Sequence, residues 1–313
     1  MERMEKFVSV NAFHNSAVQD PDRKCHPGTR VVVLNRIRNW FDNAISAERA
    51  CWLHGPAGAG KSAIAQTIAR SCSQGRVAAT FFFYRSDASR NDGNCLFTTI
   101  AWQLAFLIPG IKDHIARALD RRPDLPRMDV ETQFEEFILR PFQALKDVST
   151  HLRSLVIIID GVDECTDEKL QRRFLKLIGN ALKDNHFPLR FFICSRPEAH
   201  IQETIDRFPK PNLQIDLASL DDANHDIEKF LKDEFSRIAS DQGLDSTGWP
   251  GHEKIQQVLY KSSGQFVYAS TVIRYISDEH NSAVTQLDIV LGLKPPSSRS
   301  PFAELDALFM EIL

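Results

Sequence analysis

Short, strongly apolar runs alternate with amphipathic stretches over the first two thirds of the chain. Five of these runs have the length and composition of strands: residues 50–54, 77–84, 155–160, 188–194 and 213–217. Near-continuous apolar runs are typical of strands that are buried on both faces of a parallel sheet. The stretches between them place apolar side chains at three- and four-residue spacing, which indicates helices. This alternation predicts an α/β fold with a five-stranded parallel sheet.

The pattern becomes helical throughout from residue 221 onward. The first helix of this part carries an apolar stripe formed by Ile227, Phe230, Leu231, Phe235 and Ile238. Three further helices are predicted over 252–262, 264–280 and 283–291. Amphipathic helices without intervening strands predict a smaller, all-α domain after the α/β core.

Four segments are therefore predicted: a polar lead over 1–29, the α/β core over 30–220, the helical domain over 221–294, and a linker with a final amphipathic helix over 295–313. The lead is expected to be poorly ordered and to end in a tight turn at His26-Pro27-Gly28. Thr29 is predicted to be the N-cap of a helix that begins at Val31. We expect either that the intact chain continues beyond the final helix or that this is a natural short form.

Composition adds limits to this picture. The chain has 313 residues, of which 43% are hydrophobic and 25% charged, as is ordinary for a globular protein. Its net charge of −3 provides no basic footprint for nucleic acid. Six scattered cysteines without a C-x-x-C pair favour reduced thiols. We see neither a secretory signal nor an apolar run long enough for a membrane, so we expect a cytoplasmic protein that binds neither nucleic acid nor membrane.

Residues 55–62 carry the most specific chemical pattern. The run Gly-Pro-Ala-Gly-Ala-Gly-Lys-Ser satisfies G-x-x-x-x-G-K-[ST], a loop whose backbone amides cradle phosphates. Lys61 can reach the terminal phosphates, and Ser62 can offer its hydroxyl to Mg²⁺ at a helix N-terminus. An ordinary glycine-rich turn is the alternative. The predicted nucleotide-binding residues are Gly55, Pro56, Ala57, Gly58, Ala59, Gly60, Lys61, Ser62 and Ala63.

An acidic pattern follows the most apolar of the predicted strands. Five aliphatic residues lead into Asp160, whose carboxylate emerges at the same sheet edge as the phosphate loop. This is the Walker B arrangement, in which the aspartate holds Mg²⁺, usually through water. Asp163 and Glu164 follow and can orient or activate an attacking water. Alternatively, these acids enrich the start of a helix, since Asp167 and Glu168 come next.

Arginines follow two of the other predicted strands. Arg196 can sense or neutralise a γ-phosphate, and the alternative is an ion pair with Asp160 or Glu164. Arg85 follows the run over 77–84, at an edge where ligands bind in open α/β sheets. It can contact a phosphate or lie in solvent as an ordinary loop arginine.

Together these motifs resemble the NACHT nucleoside-triphosphatases, which are signalling switch ATPases of the STAND class. The resemblance rests on Gly-Pro-Ala-Gly-Ala-Gly-Lys-Ser, Leu-Val-Ile-Ile-Ile-Asp-Gly-Val-Asp-Glu-Cys and Phe-Phe-Ile-Cys-Ser-Arg-Pro-Glu. Three further segments resemble the fungal set whose NTPase region is grouped with the nephrocystin N-terminal domain: Cys25-His-Pro-Gly-Thr-Arg30, Thr99-Ile-Ala-Trp-Gln-Leu104 and Ser263-Gly-Gln-Phe-Val-Tyr-Ala-Ser270.

The resemblance implies ATP or ADP with Mg²⁺, and a strand preceding Arg196 that lies between the P-loop and Walker B strands. It also implies Arg196 as the sensor arginine and a helical lid over the nucleotide. Thr29 and Arg30 match the segment that lines the adenine side in relatives. Gly264-Gln-Phe266 stands where relatives place a Gly-x-Pro whose proline touches adenine. A winged-helix domain commonly follows in the family, and the end of this chain is then the start of one.

The sequence thus predicts an ATP-binding regulatory NTPase that hydrolyses ATP slowly in order to switch conformation, self-associate or engage an effector protein. Asp163, Glu164 and Arg196 are its predicted catalytic residues, and Ser62 and Asp160 its metal ligands. The alternatives are a non-catalytic, nucleotide-dependent scaffold and a small-molecule phosphotransferase. A GTPase is disfavoured because the chain has no Asn-Lys-x-Asp motif.

Overall fold

A computed structural model describes residues 1–20, 23–43, 46–72, 75–145, 150–184, 186–220, 222–244, 248–278 and 281–293. Two compact units make up this part of the chain. The first comprises Met1–Lys24, Val32–Gly55 and Lys61–Asp216; the second comprises Cys25–Val31, Pro56–Gly60 and the residues from Leu217 onward. The linker and helix predicted over 295–313 lie outside the described residues, and the predicted domain boundaries stay predictions.

The first unit is built on a parallel sheet. Its strands are β1 (Ala50–His54), β2 (Val77–Phe82), β3 (Val156–Asp160), β4 (Arg190–Ser195) and β5 (Leu213–Asp216). They lie in the order β2-β3-β4-β1-β5, and every neighbouring pair is parallel. The prediction of an α/β fold with a five-stranded parallel sheet is confirmed. The sheet order also agrees with the resemblance, because β4 lies between the strand of the phosphate loop and the strand of Asp160.

The register brings the chemically interesting strand ends to one edge. His54 at the end of β1 pairs with Ser195 at the end of β4, and Asp160 at the end of β3 pairs with Phe82 at the end of β2. The residues that follow these four strands therefore emerge side by side. Ligands bind at this carboxyl edge in open α/β sheets.

Ten helices surround this sheet along the chain: α1 (Glu2–Glu5), α2 (Val31–Asp42), α3 (Lys61–Ser71), α4 (Leu96–Leu107), α5 (Ile111–Arg121), α6 (Val130–Phe134), α7 (Arg140–Gln143), α8 (Thr150–Arg153), α9 (Glu168–Ala181) and α10 (Ala199–Ile205), counted within the described residues. Helix α3 packs on β3 and β4, and α4 packs on β2. Ile157, Ile159 and Phe81 of the sheet are fully buried, as the apolar runs predicted.

Pro141 does not end its helix. A π-helical turn over Glu135–Leu139 joins α6 to α7 directly before the proline. Proline has no N–H to donate, and a π turn is a common way to absorb such a local mismatch. Phe137 and Ile138 in this turn remain buried.

Residues 1–20 of the N-terminal lead pack on the first unit, so the prediction of a poorly ordered segment is wrong for this part. Met4 of α1 is fully buried in the core of the first unit. The backbone amide of Ser9 donates to the Thr99 hydroxyl at 2.9 Å, and the amide of His14 donates to the Thr80 hydroxyl at 3.0 Å. Isolated apolar anchors and side-chain partners far along the chain hold this segment, and neither produces a periodic pattern in the sequence.

The second unit contains α11 (Ala223–Asp241), α12 (His252–Ser262), α13 (Phe266–Ile276) and α14 (Ala283–Leu291). Its core includes the predicted stripe residues Ile227, Leu231 and Phe235. Helix α13 begins two residues later than the predicted span of 264–280, because Ser263 and Gly264 before it adopt left-handed φ angles of 48° and 78°, and it ends at Ile276.

All six cysteines lie in described residues and are free thiols. None of the helices in the described ranges combines the length and the apolar character that crossing a bilayer requires.

Candidate functional site

The phosphate loop begins directly after β1 and ends at the first residue of α3. Its Gly55 and Lys61 belong to the first compact unit, whereas Pro56–Gly60 group with the second. Lys61 Nζ donates to the carbonyl oxygen of Gly55 at 2.8 Å. Burial lowers the pKa of Lys61, and the charges of Asp163 and Asp160 oppose that shift. Lys61 is therefore hydrogen-bonded to its own loop, and the charges of Asp160 and Asp163 act on it.

The tip of the loop requires glycine for two reasons. Gly58 and Gly60 have φ angles of 73° and 92°, in the left-handed region that glycine adopts without strain. At Gly58 space is also limiting, because an added Cβ would lie 2.5 Å from Cγ1 of Val267 in the same unit. The motif glycines thus permit a backbone that can turn its amides toward a phosphate.

Asp160 is almost fully buried, with 2% of its surface exposed. The Ser62 hydroxyl and the Cys194 thiol both donate to its carboxylate. Its Oδ1 atom has no hydrogen-bond partner in the described part of the chain. Burial raises the pKa of Asp160, and the charge of Arg23 is the largest one that opposes this rise. An unpartnered, buried carboxylate oxygen beside a serine hydroxyl is an environment that a bound cation stabilises.

These residues fit Mg²⁺. This ion keeps several waters and is usually bound by one or two carboxylates together with substrate phosphates. Within the described ranges, no cluster of three or more His, Cys, Asp or Glu side chains could hold a metal ion. Ser62 and Asp160 would therefore supply only part of the coordination, and phosphate and water oxygens the rest.

Asp163 lies in a 3-10 turn over Val162–Glu164, directly after Gly161 with its left-handed φ of 69°. Asp163 Oδ1 accepts from the backbone amide of Arg196 at 2.9 Å, and Oδ2 lies 3.1 Å from the Arg196 Nε. The ion-pair alternative for Arg196 is therefore correct in kind, but the partner is neither Asp160 nor Glu164. Asp163 is 3% exposed. Both carboxylate oxygens of Asp163 are therefore engaged by Arg196.

The pKa of Glu164 is raised to the neighbourhood of neutrality. Burial, followed by the charge of Asp160, raises the pKa of Glu164 to about 7, while Arg23 opposes the rise. Its Oε2 accepts from the backbone amide of Arg85 at 3.2 Å. Arg85 also donates from Nη2 to the carbonyl oxygen of Asp163 at 2.9 Å. Arg85 is an exposed loop residue that also braces the turn carrying both acids, and its contact with a phosphate stays a prediction.

The residues predicted on the adenine side lie in the second unit. Arg30 has a left-handed φ of 54°, its backbone amide donates to Asp226 Oδ2 at 2.9 Å, and its Nη2 donates to the carbonyl oxygen of Ala59 at 2.9 Å. Its guanidinium carbon lies 4.9 Å from the ring centroid of Phe266. Arg30 therefore contacts the loop tip and Phe266 at once, which the sequence did not reveal.

Thr29 is not the N-cap of α2. Its hydroxyl donates to the carbonyl oxygen of His26 at 2.8 Å, and Arg30 stands between it and the first helical residue, Val31. Thr29 closes the turn that begins at His26, and the predicted capping role is corrected. The adenine contacts predicted for Thr29, Arg30 and Phe266 stay predictions.

In the first unit the structure brings most of the predicted site residues to one sheet edge: Gly55, Lys61, Ser62, Asp160, Asp163, Glu164 and Arg196. Ala63 lies in the first turn of α3, where its carbonyl oxygen accepts from the Thr67 hydroxyl at 2.7 Å. Arg23 and Cys194, which both act on Asp160, were not predicted as site residues from the sequence. No motif marks Arg23. Cys194 could have been found from its place near the end of an apolar strand.

A parallel sheet of this order, with a G-x-x-x-x-G-K-S loop after β1 and a buried aspartate at the end of β3, defines the P-loop nucleoside-triphosphatase fold. The family model described as nephrocystin 3, N-terminal, matches residues 28–196, over half of the chain. The chain belongs to this family, which confirms the resemblance drawn from its motifs.

Among solved structures, the chain is similar to a Walker-type ATPase of Pyrococcus abyssi. The two share 13% sequence identity and a TM-score of 0.54, over 93% of this chain and 79% of the archaeal one. At this identity the likeness establishes the shared fold. No curated protein matches the chain.

Proposed function

We propose that this protein is a regulatory ATPase that binds Mg-ATP at the phosphate loop and hydrolyses it slowly in order to change conformation. The observation that carries the proposal is the buried Asp160, whose Oδ1 has no hydrogen-bond partner in the described residues and which lies beside the Ser62 hydroxyl. A buried carboxylate left in this state is costly unless a cation joins it. Mg²⁺ brought with a nucleoside triphosphate meets that need.

Binding would rest on groups already in place. Lys61 reaches the phosphates once it leaves the Gly55 carbonyl, and the loop amides supply neutral donors. Mg²⁺ held by Ser62 and Asp160 neutralises phosphate charge when it is bound. The fit of the loop to phosphate does not select the base. We assign ATP rather than GTP because no Asn-Lys-x-Asp motif is present.

Glu164 is the group best suited to orient water and take its proton. A general base works best when its pKa lies near the working pH, and burial raises the pKa of Glu164 to about 7. Asp163 is less suited because its carboxylate is bound by Arg196. We therefore assign proton removal to Glu164 and a positioning role to Asp163.

Arg196 would respond to the presence or loss of the γ-phosphate through its ion pair with Asp163. It is tied to Asp163 by both its amide and its Nε. Loss of the γ-phosphate changes the charge that faces the guanidinium, and a change of this kind is a common trigger for switching. Self-association or effector binding would be the output of the switch.

The test uses the purified full chain. Direct binding of a fluorescent ATP analogue with Mg²⁺ should show an affinity that Lys61→Ala lowers by at least about 100-fold, since a charge-assisted contact to phosphate is lost. Lys176→Ala, which removes an exposed lysine on α9, is the control and should bind as wild type does. Tight Mg-ATP binding by Lys61→Ala would sink the nucleotide assignment.

Hydrolysis is tested separately by phosphate release. Glu164→Gln should lower kcat by about 100-fold or more and leave ATP affinity nearly unchanged, because general-base catalysis contributes on this order. The alternative function is a scaffold in which the nucleotide only stabilises the fold. The ion pair between Asp163 and Arg196 favours this alternative, because such a pair can serve structure alone. Equal, background-level phosphate release by wild type and Glu164→Gln would support that scaffold.

A further inference from the structure

Arg23 is placed at the same sheet edge as the acidic residues. Its guanidinium carbon lies 5.9 Å from the ring centroid of Tyr84. Tyr84 stands two residues beyond Phe82, the β2 residue that pairs with Asp160. The stretch between them is tied to β3, because the amide of Phe83 donates to the carbonyl oxygen of Asp160 at 2.9 Å. The Tyr84 ring thus supports Arg23 beside the carboxyl end of β3.

The charge of Arg23 acts on both carboxylates of the hydrolytic centre. Burial raises the pKa of Asp160 and of Glu164, and Arg23 opposes the rise at each. At Asp160 its effect is larger than that of Lys61. One guanidinium therefore lies in electrostatic range of the proposed Mg²⁺ ligand and of the proposed base.

Other arginines at this edge are bound to protein groups. Arg196 is paired with Asp163, and Arg85 donates to the carbonyl oxygen of Asp163. Arg90 also contacts the Tyr84 ring, with its guanidinium carbon 4.7 Å from the ring centroid, but the Arg90 Nε is paired with Asp87 Oδ2 at 2.9 Å. Their donors bind protein groups, whereas Arg23 lies over the aromatic ring of Tyr84 and its charge acts on Asp160 and Glu164.

We propose that Arg23 is a catalytic arginine, supplied in cis by the N-terminal segment, that contacts the phosphoryl group during ATP hydrolysis. This inference rests on the proposed ATPase function. An arginine provides charge and forked N–H donors to the equatorial oxygens of a transferring phosphoryl group, and such a residue can act within the same chain. The N-terminal segment would then be part of the catalytic unit.

The reaction balances without any further reagent. The oxygen of water forms a bond to the γ-phosphorus while the bond from that phosphorus to the β–γ bridging oxygen breaks, and its electron pair leaves with ADP. Glu164 takes the proton of the attacking water and later releases it to solvent. Arg23 keeps its own proton throughout and stabilises the charge on the phosphoryl oxygens.

The test compares Arg23→Ala and Arg23→Lys with wild type in the full chain, with Lys24→Ala as the matched control. Lys24 is the adjacent cation and is exposed. Arg23→Ala should lower kcat by about 100-fold or more, in the range that catalytic arginines supply. Mg-ATP affinity should change less than about threefold, and Lys24→Ala should match wild type. Arg23→Lys should recover part of the rate, because it restores charge without the forked donors.

A binding measurement gives a second, rate-independent readout. ADP with aluminium fluoride and Mg²⁺ imitates the transferring phosphoryl group, and Arg23→Ala should bind this mixture about 100-fold more weakly while binding ADP alone normally. Wild-type kcat and wild-type aluminium fluoride binding in Arg23→Ala would overturn the role of Arg23 and leave the ATPase proposal intact. Absence of ATP binding by wild type would overturn both.

A structural role for Arg23 predicts a different result. In that case ATP affinity, ADP affinity and kcat would all fall together, and the proposal would be rejected. If Arg23→Ala does not fold, Arg23→Gln replaces it, since glutamine keeps a polar side chain that can lie on Tyr84. The same separation of aluminium fluoride binding from ADP binding then decides the outcome.

Discussion

Glu164 shows how the site is tuned at the scale of single residues. Burial and the neighbouring Asp160 raise its pKa from the ordinary value of 4.5 to about 7. Between these two values the folded protein holds a proton that the unfolded chain has released. The free energy of unfolding must therefore fall as pH rises through this window, because the unfolded state binds fewer protons.

We predict that Glu164→Gln removes the part of this dependence that Glu164 contributes. At pH near 8 the variant should have a free energy of unfolding higher than wild type by about 2 kcal/mol, since each unit of pKa shift corresponds to about 1.4 kcal/mol and solvent screening reduces the total. Near pH 4.5 the two proteins should converge. Urea unfolding in the presence of a chelator measures this difference.

The control for that measurement is Glu168→Gln, which changes an exposed acid in the first turn of α9. Its unfolding curve should follow wild type across the whole pH range. A constant difference between Glu164→Gln and wild type at every pH would show that the buried carboxylate does not titrate as assigned.

Asp163 and Glu164 are adjacent in the sequence but have different hydrogen-bond partners. By sequence, both Asp163 and Glu164 are candidates to orient or activate an attacking water. The 3-10 turn separates them, because it directs Asp163 to the amide and Nε of Arg196 and Glu164 to the amide of Arg85. Two neighbours in sequence therefore have different chemical environments.

At the scale of elements, the N-terminal segment is the one whose role changed most. Its α1 contributes Met4 to the core, and its backbone amides bind the hydroxyls of Thr99 and Thr80. We predict that Met4→Ala lowers the free energy of unfolding by about 2–5 kcal/mol, the usual range for a fully buried methionine cut back to alanine. Chemical denaturation of the full chain provides the measurement.

Val18→Ala is the matched change at an exposed position of the same segment, where 52% of the side chain faces solvent. Its effect should stay within about 0.5 kcal/mol. Equal effects of the two substitutions would mean that the segment does not pack as described, and would also weaken the case for Arg23.

At the scale of the whole molecule, the phosphate loop takes residues from both compact units. A ligand that binds the folded protein and not the unfolded chain stabilises the fold. We therefore predict that Mg-ATP raises the free energy of unfolding by about 2.7 kcal/mol at a ligand concentration 100 times Kd. Thermal unfolding over a series of ATP concentrations measures this stabilisation.

The thermal stability of Lys61→Ala should not change over the same series of ATP concentrations. GTP should stabilise the wild-type protein less than ATP does. A stabilisation by ATP that Lys61→Ala retains in full would place the nucleotide elsewhere on the protein. These two comparisons separate binding at the loop from the general effect of a polyanion on the protein.

The sequence by itself determined the sheet, its strands and the main site residues. Buried parallel strands read as continuous apolar runs, and a phosphate loop needs glycine, lysine and serine at fixed spacing, so both signals are local. The assignment of Lys61, Ser62 and Asp160 to one edge followed from the parallel order alone.

Only the tertiary structure decided which side chains meet across long distances in the chain. The pairing of Arg196 with Asp163, the bond from Arg30 to the Ala59 carbonyl, the burial of Met4 and the position of Arg23 beside Tyr84 all depend on how separate segments pack. None of them repeats with the period of a helix or strand. A contact between distant residues leaves no local signal in one sequence, because its geometry exists only once the chain has folded.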